Sequence, residues 1–473
     1  MIFPLRTRVE YMLNETIFEY KRFFADGAES ELRAQHNATR RVTLLEGQLI
    51  GNSRHDCAGV SARVRRGGLY GFSSKGACGS ESIENVLREA SANALFLERH
   101  VKPAKGSLPP VPAGRTELRE PCGDVEQSFY IEVCRAVDAY IVSHCPEIIS
   151  RRVSVYSDTV EKVIAVSNGY DAHLVTPRSY VNIVLIAESA EGAPVDIFRV
   201  VGGFGTADKH FTDLSEVKKQ VDTAYEQLQQ KRFGVHAEAG EATCILAGCM
   251  AGMLAHEAVG HTVEADLVQS GSVSAHLLEK PVASEKVSLV DFANSVQGQP
   301  APLPVYVDDE GVKAEDEVLI QDGILTGYMN NRQSADLFGM TPRGHARAWL
   351  FSDEPLIRMR NTAILPGKDK LDEMIASVDD GYYLVASGNG QADLTGEFMF
   401  GVTIGYEIKN GKLGRAMLDT TISGVAFDML KTVDMVSDEL EWESSGFCGK
   451  KQPIPVGLGG PHIRCRLMMG GRA

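Results

Sequence analysis

The chemistry of this chain concentrates in Leu254-Ala-His256-Glu257-Ala-Val-Gly260-His261, followed closely by Glu264 and Asp266. Two neutral imidazoles can bind a metal ion, and a carboxylate beside them can take a proton from water that the ion has acidified. The spacing is unusual, because a metal-binding pair on one helix face ordinarily stands four residues apart and these stand five apart. At about 100° per residue, positions four apart differ by about 40°, whereas positions five apart differ by about 140° and diverge. Two local structures remove the conflict. A π-type turn with an i→i+5 hydrogen bond realigns the rings, and Gly260 offers backbone freedom for it. Alternatively the helix ends there and His261 approaches from a loop. In both cases His256 and His261 are candidate metal ligands and Glu257 a candidate catalytic base. On spacing alone, the pair reads as readily as two hydrogen-bonded histidines of an apolar helix.

The elements that must position these residues follow from periodicity. A short buried strand over 243–247 is expected to feed a helix from about 248 to 266, and short strands then dominate, at 304–307, 318–321, 324–330, 382–385, 402–409 and 412–420. Asp322-Gly323 and Asn410-Gly411 punctuate them as turns. Upstream, strand-like alternation at 40–49 and 58–73, with Gly67-Gly68 as a turn, precedes helical spacing over 82–100. Prolines 103, 109, 110, 112 and 121 mark a connector near 101–121. A helix over 125–142, strands at 148–167 and 179–186 around Asn168-Gly169, and an amphipathic helix over 213–230 complete that half. The expectation is an α+β fold: an N-terminal α/β domain, residues 1–235, with strands covered by helices, and a β-rich C-terminal domain, residues 236–473, carrying the metal-site helix.

Composition narrows the partners. With 473 residues, 44% hydrophobic and 23% charged, the chain is a globular protein with enough length for more than one core, not a disordered one. A formal charge of −15 repels a phosphate backbone, and no dense Lys/Arg block with interleaved aromatics reverses it, so direct nucleic-acid binding is not expected. The apolar stretch 244–255 is about half a bilayer span and reads as core rather than membrane. The first ten residues lack the pattern of a secretory signal, and a cytoplasmic location is expected. Nine scattered cysteines without a C-x-x-C pair fit a reducing compartment, most of them as small buried residues.

Several ordered motifs together resemble the TldD/PmbA (TldE) family, in its TldD-like, metal-bearing branch. They are His256-Glu257-x-x-x-His261 with Glu264 and Asp266, Arg358-Met359-Arg360-Asn361-Thr362 ahead of Leu365-Pro366-Gly367, and Cys448-Gly449-Lys450 with Pro455-Val456-Gly457. In the N-terminal half the resemblance is loose and rests on the strands over 41–73 and the helix after them. It implies a zinc-dependent peptidase whose motif histidines and one distant cysteine hold Zn²⁺: by position His256, His261 and Cys448, with Glu257 as base. Relatives that serve as non-catalytic partners are expected to lack these groups. The glycines flanking Cys448 would let a thiolate approach a metal, and positive charge from Zn²⁺ and Lys450 would favour the ionised sulfur. Two imidazoles, one thiolate and an open position suit a catalytic zinc rather than a closed structural one. Similar ligands serve dinucleotide-dependent dehydrogenases, but Gly203-Phe-Gly205 lacks the strand-to-helix context and the third glycine of that fingerprint.

Glu264 is expected to orient a ligating imidazole, or else to be a solvated carboxylate at a helix end. His345, between two arginines, reads as structural more readily than as an oxyanion donor. The resemblance places Arg358, Asn361 and Thr362 beside a groove that holds an extended peptide by strand addition. It further implies a homodimer, or a heterodimer with a PmbA/TldE-like homologue, and links to peptide-antibiotic maturation, antitoxin turnover or modulation of DNA gyrase. The function expected is zinc-dependent hydrolysis of unfolded or extended peptides. The alternative is a regulatory protein that captures peptides around a structural zinc and hardly cleaves them.

Overall fold

Four strands of 17 to 19 residues dominate the N-terminal half: Glu29–Leu45, Gln48–Arg66, Ser150–Val166 and Tyr170–Glu188. The computed structural model describes residues 13, 15–102, 108–120 and 125–471. The ten N-terminal residues examined for a targeting signal, together with Pro103, Pro121 and Cys122, lie outside the described residues. The long strands pair antiparallel in a seven-stranded sheet, with Leu69–Lys75 at one edge and Gly114–Arg119 and Pro194–Phe204 both pairing with Tyr170–Glu188. Gly67 and Gly68 both have positive φ, 54° and 80°, as a tight two-residue hairpin turn requires. Helix Ser80–His100 covers one end of the sheet with Ile83, Val86, Leu87, Ala90 and Ala94, a spacing that forms one stripe. It lies so close that a Cβ at Gly71 would stand 2.2 Å from the Ala90 carbonyl. Helices Gln127–His144 and Ser215–Arg232 cover the other end.

The first of these strands begins well before its sequence reads as one. Glu31, Arg33, Gln35 and Asn37 alternate on one face of it, and all four are buried. Their partners come from the C-terminal half. Asn37 Nδ2 donates to the Trp349 carbonyl at 3.0 Å, Arg33 Nη2 to the Asp353 carbonyl at 2.6 Å, and Arg63 bridges Glu31 and Glu310 at 2.8 and 2.6 Å. Asp309 receives Arg33 at 3.0 Å and Lys162 at 2.8 Å. A polar face has become an internal seam.

The C-terminal half is strand-rich, and the fold as a whole is α+β. Strands Asp380–Ala392, Gly240–Leu246, Ile463–Met469, Thr420–Val425 and Glu397–Lys409 pair in that order, and the first pairs with the last, closing a small barrel. A second sheet runs Ile324–Leu325, Glu317–Gln321, Leu289–Phe292, Asn361–Ile364, Gly457–Gly460 and Glu441–Glu443. The helical segment from Gly248 packs between barrel and sheet within one large apolar core. Two expected strands are absent or short. Residues 304–307 form none, since Pro302 and Pro304 remove the donors a ladder needs. In 324–330 only Ile324–Leu325 pairs as a hairpin strand; beyond it the chain leaves the sheet so that Met329 can bridge Glu264, with Met329 N donating to Val263 O at 3.0 Å. Among the described residues no helix is long and apolar enough to cross a membrane.

Burial opposes ionisation of Asp309, but Lys162 and Arg33 outweigh it and hold the carboxyl down at about 2. With the folded value below the unfolded one, its contribution to stability is complete above pH ~4 and disappears as pH falls through about 2. Asp309→Asn leaves two buried cations unpaired and is expected to cost about 3–5 kcal/mol in urea unfolding at pH 7. The gap from wild type should shrink between pH 4 and pH 2; a pH-independent gap would contradict the ion-pair account.

Candidate metal centre

Barrel strand Gly240–Leu246 runs into α-helix Gly248–Leu254, which widens into a π-turn over Ala255–Gly260 and tightens to a 3₁₀ turn at His261–Val263. Of the two local structures open to the sequence, the chain adopts the π-turn. The extra residue in the turn swings His261 back toward His256, and the two rings stand with centroids 5.3 Å apart at 79°. Gly260 serves differently from expectation. Its φ of −53° is ordinary for any residue, but a Cβ there would stand 2.2 Å from Met359 Sδ, so the glycine admits close packing rather than unusual backbone.

Cys448 arrives from the opposite side on the short strand Phe447–Cys448, paired with Ile454–Pro455. One ligand atom from each of His256, His261 and Cys448 lies within 4.8 Å of the others. Cys448 Sγ stands 3.4 Å from His261 Nε2. Tetrahedral zinc bonds would separate nitrogen and sulfur by roughly 3.6 Å, so this pair already has the spacing of ligands. Glu264, expected near this site, is fully buried and accepts His261 Nδ1–H at 2.7 Å, which leaves the Nε2 lone pair facing the sulfur. Its other oxygen lies 3.1 Å from Lys450 Nζ, which also reaches Asp266 at 3.1 Å.

The arrangement has the signature of a place made for a cation. His256 is 1% exposed, and neither ring nitrogen has a hydrogen-bond partner among the described residues, a deficit that one coordinate bond would relieve. Burial opposes ionisation of the Cys448 thiol, but the two imidazoles facing it outweigh that and bring it down to about 3. Burial likewise opposes protonation of His261, and Cys448 and Glu264 outweigh it, raising it to about 10. Glu257 stands at the rim, its side chain 27% exposed and Oε2 3.8 Å from His261 Nε2.

Three expected groove residues lie elsewhere. Arg358 is fully buried and donates through Nη2 to the Cys448 carbonyl at 2.6 Å and through Nη1 to the Gln452 carbonyl at 2.7 Å, splinting the loop that carries the sulfur. Asn361 and Thr362 are also fully buried, in a strand paired on both sides, by Leu289–Phe292 and Gly457–Gly460. Their side chains bond to Leu303 and Asp291. None of the three is exposed, and the strand of Asn361 and Thr362 offers no edge to a peptide. His345 is structural, its Nε2 3.1 Å from Asp291, which also holds Arg360 at 2.7 Å. No local signal in the sequence announces the Arg358 splint, since its partners lie some 90 positions downstream.

Two imidazoles and a sulfur meet around one point, beside a carboxylate at an accessible rim, a set of groups able to hold a metal ion. Residues 239–471 match the family model of the PmbA/TldA metallopeptidase C-terminal domain, and residues 120–232 match that of the PmbA/TldA metallopeptidase central domain. A metalloprotease TldD homolog of Buchnera aphidicola is 28% identical, with 90% of each chain aligned. A zinc metalloprotease TldD homolog of Saccharolobus solfataricus is 30% identical over 69% of this chain and 72% of its own. The fold is also that of TldE from Thermococcus kodakarensis, at a TM-score of 0.74 and 17% identity over 97% of this chain and 99% of that one. The chain belongs to the TldD/PmbA family of metallopeptidases.

Glu264→Gln preserves the shape of the buried side chain but removes the charge that orients His261. It is expected to weaken metal affinity by roughly 10–100-fold in a chelator competition, with the circular dichroism spectrum unchanged. Unchanged affinity would deny Glu264 a role in holding the ligand.

Proposed function

We propose that this chain is a zinc-dependent metallopeptidase that hydrolyses peptide bonds of unfolded or extended peptides. The observation that carries the reading is the meeting of His256, His261 and Cys448 donor atoms within 4.8 Å, with Glu257 at the rim. Zinc suits two imidazoles and a thiolate, and when bound it supplies a Lewis acid that acidifies water and polarises a carbonyl. The chain's own residues do the rest. His256, His261 and Cys448 hold the ion and leave one side open. Glu257 accepts the proton of the attacking water and returns it to the leaving amine. Glu264 and Lys450 keep the His261 ring in one orientation and one tautomer. Arg358 keeps the sulfur in place through the backbone of its loop.

Depth argues for flexible substrates. His256 and Cys448 are 1% and 3% exposed, so a scissile bond must be carried inward on an extended chain rather than presented by a packed fold. In keeping with the family, the chain is proposed to act in the cytoplasm, as a dimer with itself or with a TldE-like homologue.

Glu257→Gln is expected to retain zinc at wild-type stoichiometry while cleaving an unfolded casein-type substrate at least ~100-fold more slowly. Chelation should abolish cleavage by the wild type, and added zinc should restore it. A metal-replete Glu257→Gln protein with undiminished turnover would refute the role given to Glu257. Peptide binding without any chelator-sensitive cleavage would favour a binding protein with a structural metal.

A further inference from the structure

A cavity of about 100 Å³ lies between the N-terminal sheet and the Cys448 strand pair, lined among others by Lys162, Arg178, Asp309, Arg347, Trp349 and Pro455. It lies against the strand pair that carries Cys448. Ile454 and Pro455 form part of its wall and are the register partners of Cys448 and Phe447, about 5 Å across the ladder. The open groove on the same sheet face, between Arg41, Tyr156, Tyr180 and Phe447, ends at Phe447. Beneath the Phe447 ring, 5.0 Å from its centroid, lies the Arg178 guanidinium.

The charges around the cavity do not balance. Lys162 is spent on Asp309, which also receives Arg33. Arg178 grips Asp158 through Nε and Nη2, but its buried Nη1 has no hydrogen-bond partner among the described residues. Arg347 donates only to the main-chain carbonyls of Met359 and Pro455, and no carboxylate lies within ion-pair distance of it among the described residues. Asp308 does not make up the deficit, since burial and neighbouring Glu310 push its carboxyl well above the ordinary range. Three cations, Lys162, Arg178 and Arg347, line the cavity, and Arg33 from outside it shares Asp309 with Lys162, so that Arg347 is left without a carboxylate partner at ion-pair distance among the described residues. A buried guanidinium without a counter-charge is costly, and a carboxylate is the group whose planar oxygens match it. Aliphatic, proline and aromatic side chains supply most of the remaining wall, which suits an apolar stem behind the charge.

We propose that this cavity is a carboxylate-binding subsite of the peptidase, in which Arg178 and Arg347 receive either an acidic side chain or the terminal carboxylate of a peptide whose scissile bond lies at the metal centre. The proposal rests on the peptidase reading and assigns that site a substrate preference. The two sources of the carboxylate differ in where the cut falls, internal for a side chain and near the end for a terminus.

Two matched peptide pairs test it on the zinc-loaded full chain, one differing by Glu against Gln and one by free acid against amide at the C-terminus. The carboxylate member of one pair should show kcat/KM higher by roughly tenfold or more, and the pair that responds identifies the source. Binding of the same peptides in labelled form to Glu257→Gln should show the same ratio in Kd. In Arg347→Gln and Arg178→Gln the ratio should fall toward one, and Arg347→Lys should keep part of it. Equal treatment of both pairs by the wild-type chain, in cleavage and in binding, overturns the subsite whether or not the variants fold. Discrimination that survives in both arginine variants overturns the assignment to these residues. If no peptide is cleaved, the peptidase reading fails and the Kd ratio still decides the subsite.

Discussion

One inserted residue in a helix is the constraint on which the site depends. Without the π-turn over Ala255–Gly260, His256 and His261 would point to different sides of the helix and could not share an ion with Cys448. A wide turn forfeits regular hydrogen bonding, so the surroundings must hold it open. Met359 presses into the space left at Gly260, and the bridge between Met329 and Glu264 pins the exit of the turn. Met359 lies next to Arg358, whose guanidinium fixes the backbone of the sulfur-bearing loop. The short segment from Arg358 to Arg360 therefore touches both halves of the centre at once: the helix through a methionine and the Cys448 loop through an arginine. Arg360, bound to Asp291, anchors that segment to the core of the second sheet.

The second organising feature is the polar seam between the two halves. Buried ion pairs such as Arg63 with Glu310 and Arg33 with Asp309 gain little over a well-packed apolar contact, because desolvation offsets most of the attraction. What they supply is register. An apolar seam would tolerate sliding, whereas a row of matched charges and carbonyl contacts fits in one alignment. That alignment sets the N-terminal sheet face opposite the Cys448 strand pair and encloses the cavity lined by Arg178 and Arg347.

Much of this was legible in the residues. That the helix must either widen into a π-turn or end followed from the mismatch between a five-residue spacing and the 100° step of a helix, and the Gly67-Gly68 and Asn168-Gly169 hairpins followed from turn chemistry. The family followed from motifs that recur in order. What stayed hidden had one physical cause, polar groups whose partners are distant in sequence. The strand Glu29–Leu45 reads as one only from residue 40 because the partners of Glu31, Arg33 and Asn37 lie more than 30, and in the last two cases more than 270, positions away. The family resemblance put Arg358, Asn361 and Thr362 beside a groove, yet the polar groups of each are satisfied internally. Gly260 was correctly singled out for the wrong reason, since its importance lies in what packs against it.

The claim beneath the whole account is that three side chains from two separated segments bind one ion. Zinc K-edge absorption spectroscopy on the zinc-loaded chain reads that shell directly. The account predicts one sulfur at about 2.3 Å together with two imidazole nitrogens and one further light ligand near 2.0–2.1 Å, and loss of the sulfur contribution in Cys448→Ser. A shell without sulfur, or a spectrum that Cys448→Ser leaves unchanged, would contradict it.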